Sequence, residues 1–533
     1  IKTSNVVSGS ITRSQIWKAD GTEDQILSGS DVVTGDLFGS TVRIHGNYAV
    51  VGADNEDAGA GESLAGAVYI FYKSGGTWAQ QAKLVADNAG AGDKFGRSVS
   101  IYGDYVVVSS PFEDTTATDS GSVYIFKRSG TTWSQQQKIQ ASDAADSDFL
   151  GAGIGQNGGG LAIDNDYFII GAANNDDNGA NSGSAYIFKR TGTTWAQQSK
   201  LIASDAAADD TFGTSVAISG DYAIVGATGE DTGGTSAGAA YIFKKGDIFT
   251  SYTVRITRNG DTSSTGTGDF DITPSDGNVT LRNWGNSPSS GDLGAPLWDN
   301  AGWTPLRVYD NGTIILAGET LTTYTVGGSP ATFYECGSGL GGTNFHVAIT
   351  IVSRTTGTGW SQQAKIQSSD IAAYDGFGNS VAISGDYAFI GCRYDDDDGN
   401  GSGSVYIFKK DTGAETWTQH SKLKASDAST NAEFGTSVSV SGDYLISGAA
   451  RENSYTGSAY IFQLSGTTWT EVKKITASDA AASNYFGDSV AIDGTNVIVG
   501  ARGSNAGAAY VYEKVYVGPT LTYDNANKLS LTG

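Results

Sequence analysis

The sequence predicts an all-β fold: a seven-bladed β-propeller with four-stranded blades closed by the N-terminal strand, plus one inserted β-sandwich-like domain. The first observation behind this prediction is composition, since 74 glycines, 26 tyrosines and only 7 prolines, with charged residues at 17%, are typical of short strands and tight turns. The second is a motif that recurs seven times. The third is the order of the strands at the two ends of the chain.

The recurring motif begins at a tryptophan. Trp78-Ala-Gln-Gln-Ala-Lys-Leu is one such opening strand, and its Gln and Lys residues are typical of the solvated face of a sheet edge. An acidic link of the type Ala-Ser-Asp-Ala-Ala follows, and then Phe-Gly with an alternating apolar run; the third copy departs as Phe149-Leu-Gly151. The tryptophans are Trp17, Trp78, Trp133, Trp195, Trp360, Trp417 and Trp469, and the link aspartates are Asp31, Asp87, Asp143, Asp205, Asp370, Asp427 and Asp479.

Each copy supplies four short strands. In the fourth copy, Gly220-Asp221 leads into Tyr222-Ala-Ile-Val-Gly-Ala, and Ala240-Tyr-Ile-Phe-Lys follows an acidic loop. A Gly-Asp pair between apolar runs predicts a hairpin, so a unit of about 55 residues matches a propeller blade. The chain opens on the Trp17 strand and its last copy stops at a third strand, so we expect the N-terminal strand to complete the last blade.

The Phe-Gly opening and the later Gly-Ala or Gly-Ser element before Tyr-Ile-Phe resemble the FG-GAP repeats of integrin α-subunit propellers and of many surface proteins. The resemblance implies a propeller and a role in adhesion or ligand binding outside the cell. It does not extend to the family's calcium loop, Asp-x-Asp-x-Asp-Gly between the first and second strands. That connection has shrunk here to Gly220-Asp221 or Gly385-Asp386.

Acidic residues instead cluster between the second and third strands, where they are expected to share one rim with the acidic links. Carboxylate and amide oxygens are the ligands that Ca²⁺ prefers, so these loops are candidate calcium sites and no other cofactor is expected. The alternative is that Asp, Asn and Gly only form solvated turns. The candidate metal ligands are Asp395, Asp396, Asp397, Asp398 and Asn400 in one loop and Asn174, Asp176 and Asp177 in another.

The formal net charge of −24 argues against nucleic acid as a partner, because phosphate backbones attract Lys and Arg. No apolar stretch is long enough to predict a membrane span. The two cysteines, Cys336 and Cys392, allow one pairing that the sequence leaves open. Asn278, Asn311 and Asn400 begin glycosylation sequons, which fit an extracellular or cell-surface location.

The repeat is interrupted between the third and fourth strands of the fourth copy. Residues 1–246 and 357–515 are therefore assigned to the propeller, and residues 247–356 to an inserted β-rich domain. Trp284, Trp298 and Trp303 lie in the insertion and outside the repeat, so they are candidate ligand-binding residues, with packing inside a small sandwich as the alternative. Residues 516–533 are expected to form an extended tail that leads into a further domain or contact.

The leading functional prediction is a non-catalytic adhesion or binding module that recognises a protein or a glycan through its acidic rim, its inserted domain or both. The second is a structural subunit of a cell-surface filament or sheath, assembled through the insertion and the termini. A glycan-processing enzyme with an acidic pair is third. His45, His346 and His420 stand in unrelated contexts and no familiar catalytic motif occurs, so no catalytic residue is predicted.

Overall fold

The computed structural model describes residues 14–18, 21–57, 62–153, 159–259, 266–272, 306–308, 314–316, 321–326, 329–336, 345–411, 413–503, 506–517, 520–523 and 529–532. Side chains are described at 17–18, 21–57, 62–153, 159–246, 358–411, 413–503 and 506–514. The chain divides into two compact units, residues 1–244 with 362–533, and residues 245–361.

The first unit is a seven-bladed propeller of antiparallel four-stranded blades, as the sequence predicted. Blades 1 to 3 consist of Thr41–His45, Tyr48–Ala53, Ala67–Ser74 and Thr77–Leu84; Val99–Tyr102, Tyr105–Ser110, Ser122–Ser129 and Thr132–Ile139; and Leu161–Asp164, Tyr167–Ala172, Ser184–Thr191 and Thr194–Leu201. Blades 4 and 5 consist of Phe212–Ser219, Tyr222–Ala227, Ala239–Asn259 and Phe345–Ile366; and Phe377–Ser384, Tyr387–Cys392, Ser404–Lys410 and Trp417–Leu423. Blade 6 consists of Phe434–Ser441, Tyr444–Ala449, Ser458–Ser465 and Thr468–Ile475, with a helical turn at Glu452–Tyr455, and blade 7 begins with Ser489–Asp493, Asn496–Ala501 and Ala508–Val517.

The first strands of successive blades contact one another in a closed cycle from blade 1 to blade 7 and back to blade 1. The first strand of each blade therefore lies nearest the axis and the fourth lies outermost. The apolar core lies between neighbouring blades. In one such layer, Tyr48 of blade 1 packs edge-on against Trp133 of blade 2, with ring centroids 5.9 Å apart. The repeated tryptophans with described side chains are all buried, which supports a packing role for them.

The Phe-Gly and Gly-Ala or Gly-Ser elements interlock adjacent blades. The backbone N–H of Phe95 donates to the carbonyl of Ala65 in blade 1 at 2.8 Å. Gly66 follows with a φ of 88°, and a Cβ there would lie 2.0 Å from the carbonyl oxygen of Phe95. Glycine is required here for two reasons: the neighbouring backbone leaves no room for a Cβ, and the positive φ disfavours other residues. The two glycine-containing motifs of the repeat are therefore the two sides of one contact between blades.

The third copy places Leu150, not Phe149, in the buried position of the repeated phenylalanine. Phe149 has a φ of 50° and occupies the turn position that Leu37 and Lys94 hold in the first two copies. The aromatic residue in this copy has thus moved one position towards the N-terminus, and an aliphatic residue fills the core.

Blade 7 obtains its outer edge from the N-terminal segment. Ser14–Trp17 pairs antiparallel with residues 514–517, and Gln25–Leu27 pairs with residues 509–511. Both segments lie against the third strand, Ala508–Val517. The start of the chain therefore covers the edge that the last repeat leaves open, as the sequence predicted.

The second unit and the tail contain further strands. The third and fourth strands of blade 4 continue into the second unit, whose other strands are Gly266–Ile272, Leu306–Val308, Ile314–Leu316, Leu321–Val326 and Ser329–Cys336. A sandwich arrangement of these strands stays a prediction. Beyond the propeller, Thr520–Tyr523 pairs with Leu529–Thr532. In the described part of the chain, no helix has the length and apolar character needed to cross a bilayer.

Candidate functional site

The connections between second and third strands and the links between blades lie together on one face, which we name the loop face. The backbone N–H of Asp209, in the link to blade 4, donates to the carbonyl of Ala180 in the loop of blade 3 at 2.7 Å. The link to blade 3 makes the same contact with blade 2, from Ser147 to Thr118 at 2.8 Å. We name the opposite face, which carries the tight turns between third and fourth strands, the hairpin face.

A cluster of four side chains holds the loop to its link, with variations, in blades 1 to 6, and blade 5 shows it most completely. The hydroxyl of Tyr406 lies 3.0 Å from a carboxylate oxygen of Asp370 in the link and 2.7 Å from one of Asp395 in the loop, and its single proton is shared between them. Lys422, which faces Tyr406 across the sheet, donates to the same two carboxylates at 3.0 and 2.8 Å. We name this arrangement the Tyr–Lys cluster of a blade.

The Tyr–Lys cluster recurs around the ring with small changes. In blades 1, 4 and 6 the lysine forms ion pairs with the link aspartate and with a buried loop glutamate. In the order lysine, link aspartate and loop glutamate, these residues are Lys83, Asp31 and Glu56 in blade 1; Lys365, Asp205 and Glu230 in blade 4; and Lys474, Asp427 and Glu452 in blade 6. Blade 3 has an amide in place of the loop acid, and Lys200 donates to Asn175 Oδ1 at 3.3 Å. In blade 7 the lysine position, opposite Tyr510, is occupied by Ile26.

Blade 2 corrects the assignment of one link aspartate. The hydroxyl of Tyr124 donates to Asn88 Oδ1 at 2.9 Å, whereas the backbone N–H of Asp87 donates to Gln135 Oε1 at 3.1 Å. Asp87 therefore stands at the position of the serine that precedes the link aspartate in other copies, such as Ser204. The sequence alignment chose the nearest acid instead of the residue in register.

The Gln and Lys residues of the outer strand also differ from the expectation that they are solvated edge residues. The side chain of Gln362 accepts from the backbone N–H of Ser204 at 2.9 Å, and its amide donates to the hydroxyl of Ser204 at 2.9 Å. The lysines reach the Tyr–Lys clusters. The outer strand therefore fixes the link beside it through its polar side chains, because each link passes close to a neighbouring strand.

Two opposing effects determine the pKa values of the cluster acids: burial raises them, and hydrogen bonds from these partners lower them. Burial would raise the pKa of Asp370, but hydrogen bonds from Lys422 and Tyr406 outweigh it and hold that pKa below its usual value. In blade 2, burial of Glu113 is likewise outweighed, by Lys138, Ser122 and Thr115, and its pKa falls to about 2. These acids are therefore charged at neutral pH and act as fixed partners of the lysines.

The predicted calcium ligands of the blade 5 loop have protein partners. Asp395 is buried in the Tyr–Lys cluster. Asp397 pairs with Lys422 at 2.6 Å, and Asp398 pairs with Lys424 at 2.8 Å. Asp396 accepts from the backbone N–H of Gly401 at 2.7 Å. The exposed Asn400 accepts at its backbone carbonyl from the N–H of Asn431, at 2.7 Å.

The blade 3 loop is organised in the same way. Asn174 donates to Asn181 Oδ1 at 3.1 Å, Asp176 accepts from the backbone N–H of Asn181 at 2.7 Å, and Asp177 pairs with Lys200. In both loops lysine supplies a neutralising charge beside the carboxylates. Calcium binding by either loop stays a prediction, which melting curves in EDTA and then in excess calcium would test.

One further group of ligand-type atoms was not anticipated from the sequence. Asp375, Cys392 and Asp395 are buried, and one ligand atom of each lies within 4.8 Å of the others. The thiol of Cys392 donates to the backbone carbonyl of Asp375 at 3.4 Å. The ammonium of Lys422 lies 2.8 Å from Asp395, so this group already contains a positive charge.

Asp375 should make stability depend on pH. Burial raises the pKa of Asp375 to about 6, with Asp395 and Asp396 adding to the shift. An acid with a higher pKa when folded binds protons more tightly in the folded state, so its stabilising contribution is complete at low pH and is lost as the pH rises from about 4 to about 6. Asp375→Asn is therefore expected to raise the melting temperature at pH 7, by about 2 °C, and to change it little at pH 4.

Asp370→Asn, in the same link, is the matched control for this titration. Because the pKa of Asp370 is lowered in the fold, its contribution is present at neutral pH and is lost as the pH falls below about 4. This variant is expected to be destabilised at pH 7. Melting temperatures from pH 4 to pH 8 check both signs, and a fall for Asp375→Asn at pH 7 would contradict the account.

Five residues singled out in the sequence lie outside the described residues: the aromatic candidates Trp284, Trp298 and Trp303 and the sequon residues Asn278 and Asn311. Their roles stay predictions.

The loop face also contains a cleft between blades 4 and 5 that the sequence analysis missed. Its volume is about 330 Å³, and Tyr374, Arg393 and Tyr394 line it together with Asn379 and Thr228. The guanidinium of Arg393 lies over the ring of Tyr394, 4.5 Å from its centroid. The available signal was Tyr374, a bulky residue where the other links have Gly, Ser, Asp or Asn. We name this feature the blade 4/5 cleft.

The comparison with models of protein families agrees with this architecture. The model of the FG-GAP repeat family matches the chain seven times, at residues 22–71, 78–126, 133–188, 195–243, 360–408, 417–462 and 469–512. Among solved structures, Sqt1 of Saccharomyces cerevisiae is 11% identical, with a TM-score of 0.37 over 93% of this chain and 99% of that chain. A protein from Lactobacillus plantarum is 12% identical, with a TM-score of 0.39 over 91% of this chain and 95% of that chain. No curated protein sequence matches significantly.

Proposed function

Because the chain belongs to the FG-GAP repeat family, we propose that it is a non-catalytic binding module, located at the cell surface or outside the cell, that recognises a glycan or a protein through its loop face. The observation that carries this proposal is the recurrence of the Tyr–Lys cluster in blades 1 to 6, under loops whose outer residues differ. A rigid scaffold with variable loops is the usual design of a binding surface.

The contrast between scaffold and outer residues is clear in three blades. The cluster acid is Glu56 in blade 1, Glu230 in blade 4 and Asp395 in blade 5, and each is buried and paired with the lysine of its own blade. The residue just before it in the chain is Asn55, Gly229 or Tyr394. The buried acids therefore keep the loops in place, while their neighbours give each part of the loop face a different chemistry.

The same contacts support a role without catalysis. A general acid or base must reach a substrate, whereas the carboxylates of the clusters accept hydrogen bonds from Tyr and Lys of their own blade. Among histidines with described side chains, His45 packs on Tyr102 and His420 bonds the carbonyl of Thr467. These carboxylates and histidines therefore form contacts within and between the blades.

Binding followed by footprinting tests the proposal. The intact protein is applied to arrays of extracellular polysaccharides and matrix proteins, and the best ligand is used for hydroxyl-radical footprinting. Protection is expected on the loop face, for example in residues 228–238 and 393–402, and not at hairpin-face turns such as residues 129–132. Protection confined to the hairpin face or to residues 247–356, or turnover of an arrayed glycan, would overturn the proposal.

A further inference from the structure

Tyr374 occupies a backbone position that disfavours it. Its φ is 70°, in the left-handed region where bulky side chains are costly. Its side chain is 66% exposed, so burial in the core does not explain the aromatic ring. An exposed aromatic residue in this backbone region motivates the hypothesis of a functional role. The corresponding residues of the other blade links are Gly35, Gly92, Ser147, Asp209, Asn431 and Ser483.

Arg393 gives the same cleft a positive charge that forms no close ion pair among the described residues, although its field reaches the buried Glu433 and Asp488. Among the described residues, no carboxylate lies within ion-pair distance of its guanidinium, which instead stacks on Tyr394. Other loop-face arginines are paired, as in Arg451 with Glu433 at 2.7 Å and Arg502 with Asp488 at 2.6 Å. In a chain with a net charge of −24, a guanidinium that forms no close ion pair beside a cleft is available to an acidic ligand.

Asn379 adds an unsatisfied acceptor beside the cleft. It lines the cleft and is only 5% exposed. Its amide nitrogen donates to the carbonyl of Thr436 at 2.9 Å, but its Oδ1 is buried and accepts no hydrogen bond from the described residues. Buried polar atoms are nearly always satisfied, so Oδ1 is a candidate acceptor for a donor group in the cleft.

The chemistry of the lining narrows the class of ligand. The exposed lining is mostly apolar, but no aliphatic residue contributes to it, so this area comes from the tyrosine rings and from carbon atoms of polar residues and glycines. Aromatic faces beside hydroxyl, amide and guanidinium groups suit a ligand with both apolar faces and polar edges, such as a sugar ring. The planar fork of an arginine matches a carboxylate through two parallel hydrogen bonds. The cleft volume, about 330 Å³, is at the lower end of the range for small-molecule sites.

On the basis of the binding function proposed above, we propose that the blade 4/5 cleft binds a uronic acid residue of an extracellular polysaccharide. Arg393 pairs with the sugar carboxylate, and the ring of Tyr374 covers one face of the sugar ring. Asn379 Oδ1 accepts a hydrogen bond from a sugar hydroxyl. The strain at Tyr374 is then the consequence of presenting an aromatic ring at this place.

Titration calorimetry with trigalacturonate and with its methyl ester tests the proposal, because the two probes differ only in the charged carboxylates. The intact protein is expected to bind the acid at least about 10-fold more tightly than the ester, as the loss of a charge-assisted pair implies. Equal affinity for the two probes would overturn the proposal. Tighter binding of an acetylated tetraglutamate peptide than of trigalacturonate would also overturn it, in favour of an acidic peptide.

Variants separate the roles of the residues. Arg393→Gln is expected to reduce the affinity for the acid to that for the ester, and Arg393→Lys to recover it only in part. Tyr374→Gly is expected to weaken both probes about 3- to 10-fold while raising the melting temperature by about 1–2 °C. Arg128→Ala is the matched control, since Arg128 stacks on Tyr48 at the same 4.5 Å distance near the hairpin face, and it is expected to bind like the wild type.

The outcomes distinguish this inference from the proposed function. A protein that binds another arrayed ligand with a loop-face footprint, but binds neither uronate nor ester, retains the proposed function and loses this inference. A protein whose affinity for uronate does not change in Arg393→Gln loses the assignment to this cleft. A protein that binds no arrayed ligand at all loses both.

Discussion

Deletion of residues 1–28 is expected to lower the melting temperature by about 10 °C or more, or to leave the protein aggregated. The deletion removes Trp17 and Leu27, which are 9% and 1% exposed and pack against blades 6 and 1. Loss of a buried Trp and a buried Leu costs about 3–5 and 2–5 kcal/mol. It also uncovers the unpaired backbone of Ala508–Val517, an edge that favours pairing between chains.

Deletion of residues 1–13 is the matched control, because both paired strands remain. Calorimetry and light scattering compare the two truncations with the intact chain. The shorter deletion is expected to melt within about 2 °C of the intact protein and to stay dispersed. Unchanged stability after removal of residues 1–28 would contradict closure of the ring by the N-terminal strands.

Lys422→Met is expected to destabilise the protein by about 3 kcal/mol, because it leaves the buried Asp395 without its counter-charge. The ammonium of Lys422 contacts Asp370, Asp395 and Asp397 within 3.0 Å, so it is the main positive charge of the blade 5 cluster. Adding Asp395→Asn is expected to restore much of the loss. Blade 3 shows the precedent, since Asn175 already holds the loop position there.

Lys424→Met controls for the loss of a neighbouring lysine, one that lies just beyond the end of the same strand. Lys424 is more exposed and pairs with Asp398 at the surface, so its removal is expected to cost no more than about 0.5 kcal/mol. Denaturant unfolding of the three variants provides the comparison. Equal losses for the two lysines, or no recovery in the double variant, would show that the Tyr–Lys cluster does not hold the loop.

The number of blades, the position of each strand within its blade and the closure of the ring could be predicted, because short sequence motifs encode the contacts that determine them. Phe-Gly in one blade meets the glycine before the third strand of the preceding blade, as Phe95 meets Gly66. These residues recur in register, so counting them counts the blades. Where residue type varied, alignment by residue identity was wrong, as for Asp87 in place of Asn88. The third copy was recognised as a departure, and the structure shows that Leu150 fills its core position.

The candidate site was less predictable, because it depends on contacts between distant parts of the chain. The acidic character of the loops was visible, but their lysine partners lie on the outer strand, as Lys422 does 27 residues after Asp395. Burial of the acid beside that lysine has no local sequence signature. Prediction of the cleft would have required recognising Tyr374 as unusual. Tyr374 is unusual because its backbone has a positive φ, and residue spacing alone does not reveal a positive φ.

The native mass of the intact protein tests most directly the claim that one closed chain acts as a self-contained binding module. It can be measured by light scattering at several concentrations, with negative-stain images of the same samples. We expect discrete particles with the mass of a single chain, free to bind through the loop face. Ordered polymers would contradict the account and identify the protein as the subunit of a filament, with the inserted domain and the termini as its contacts.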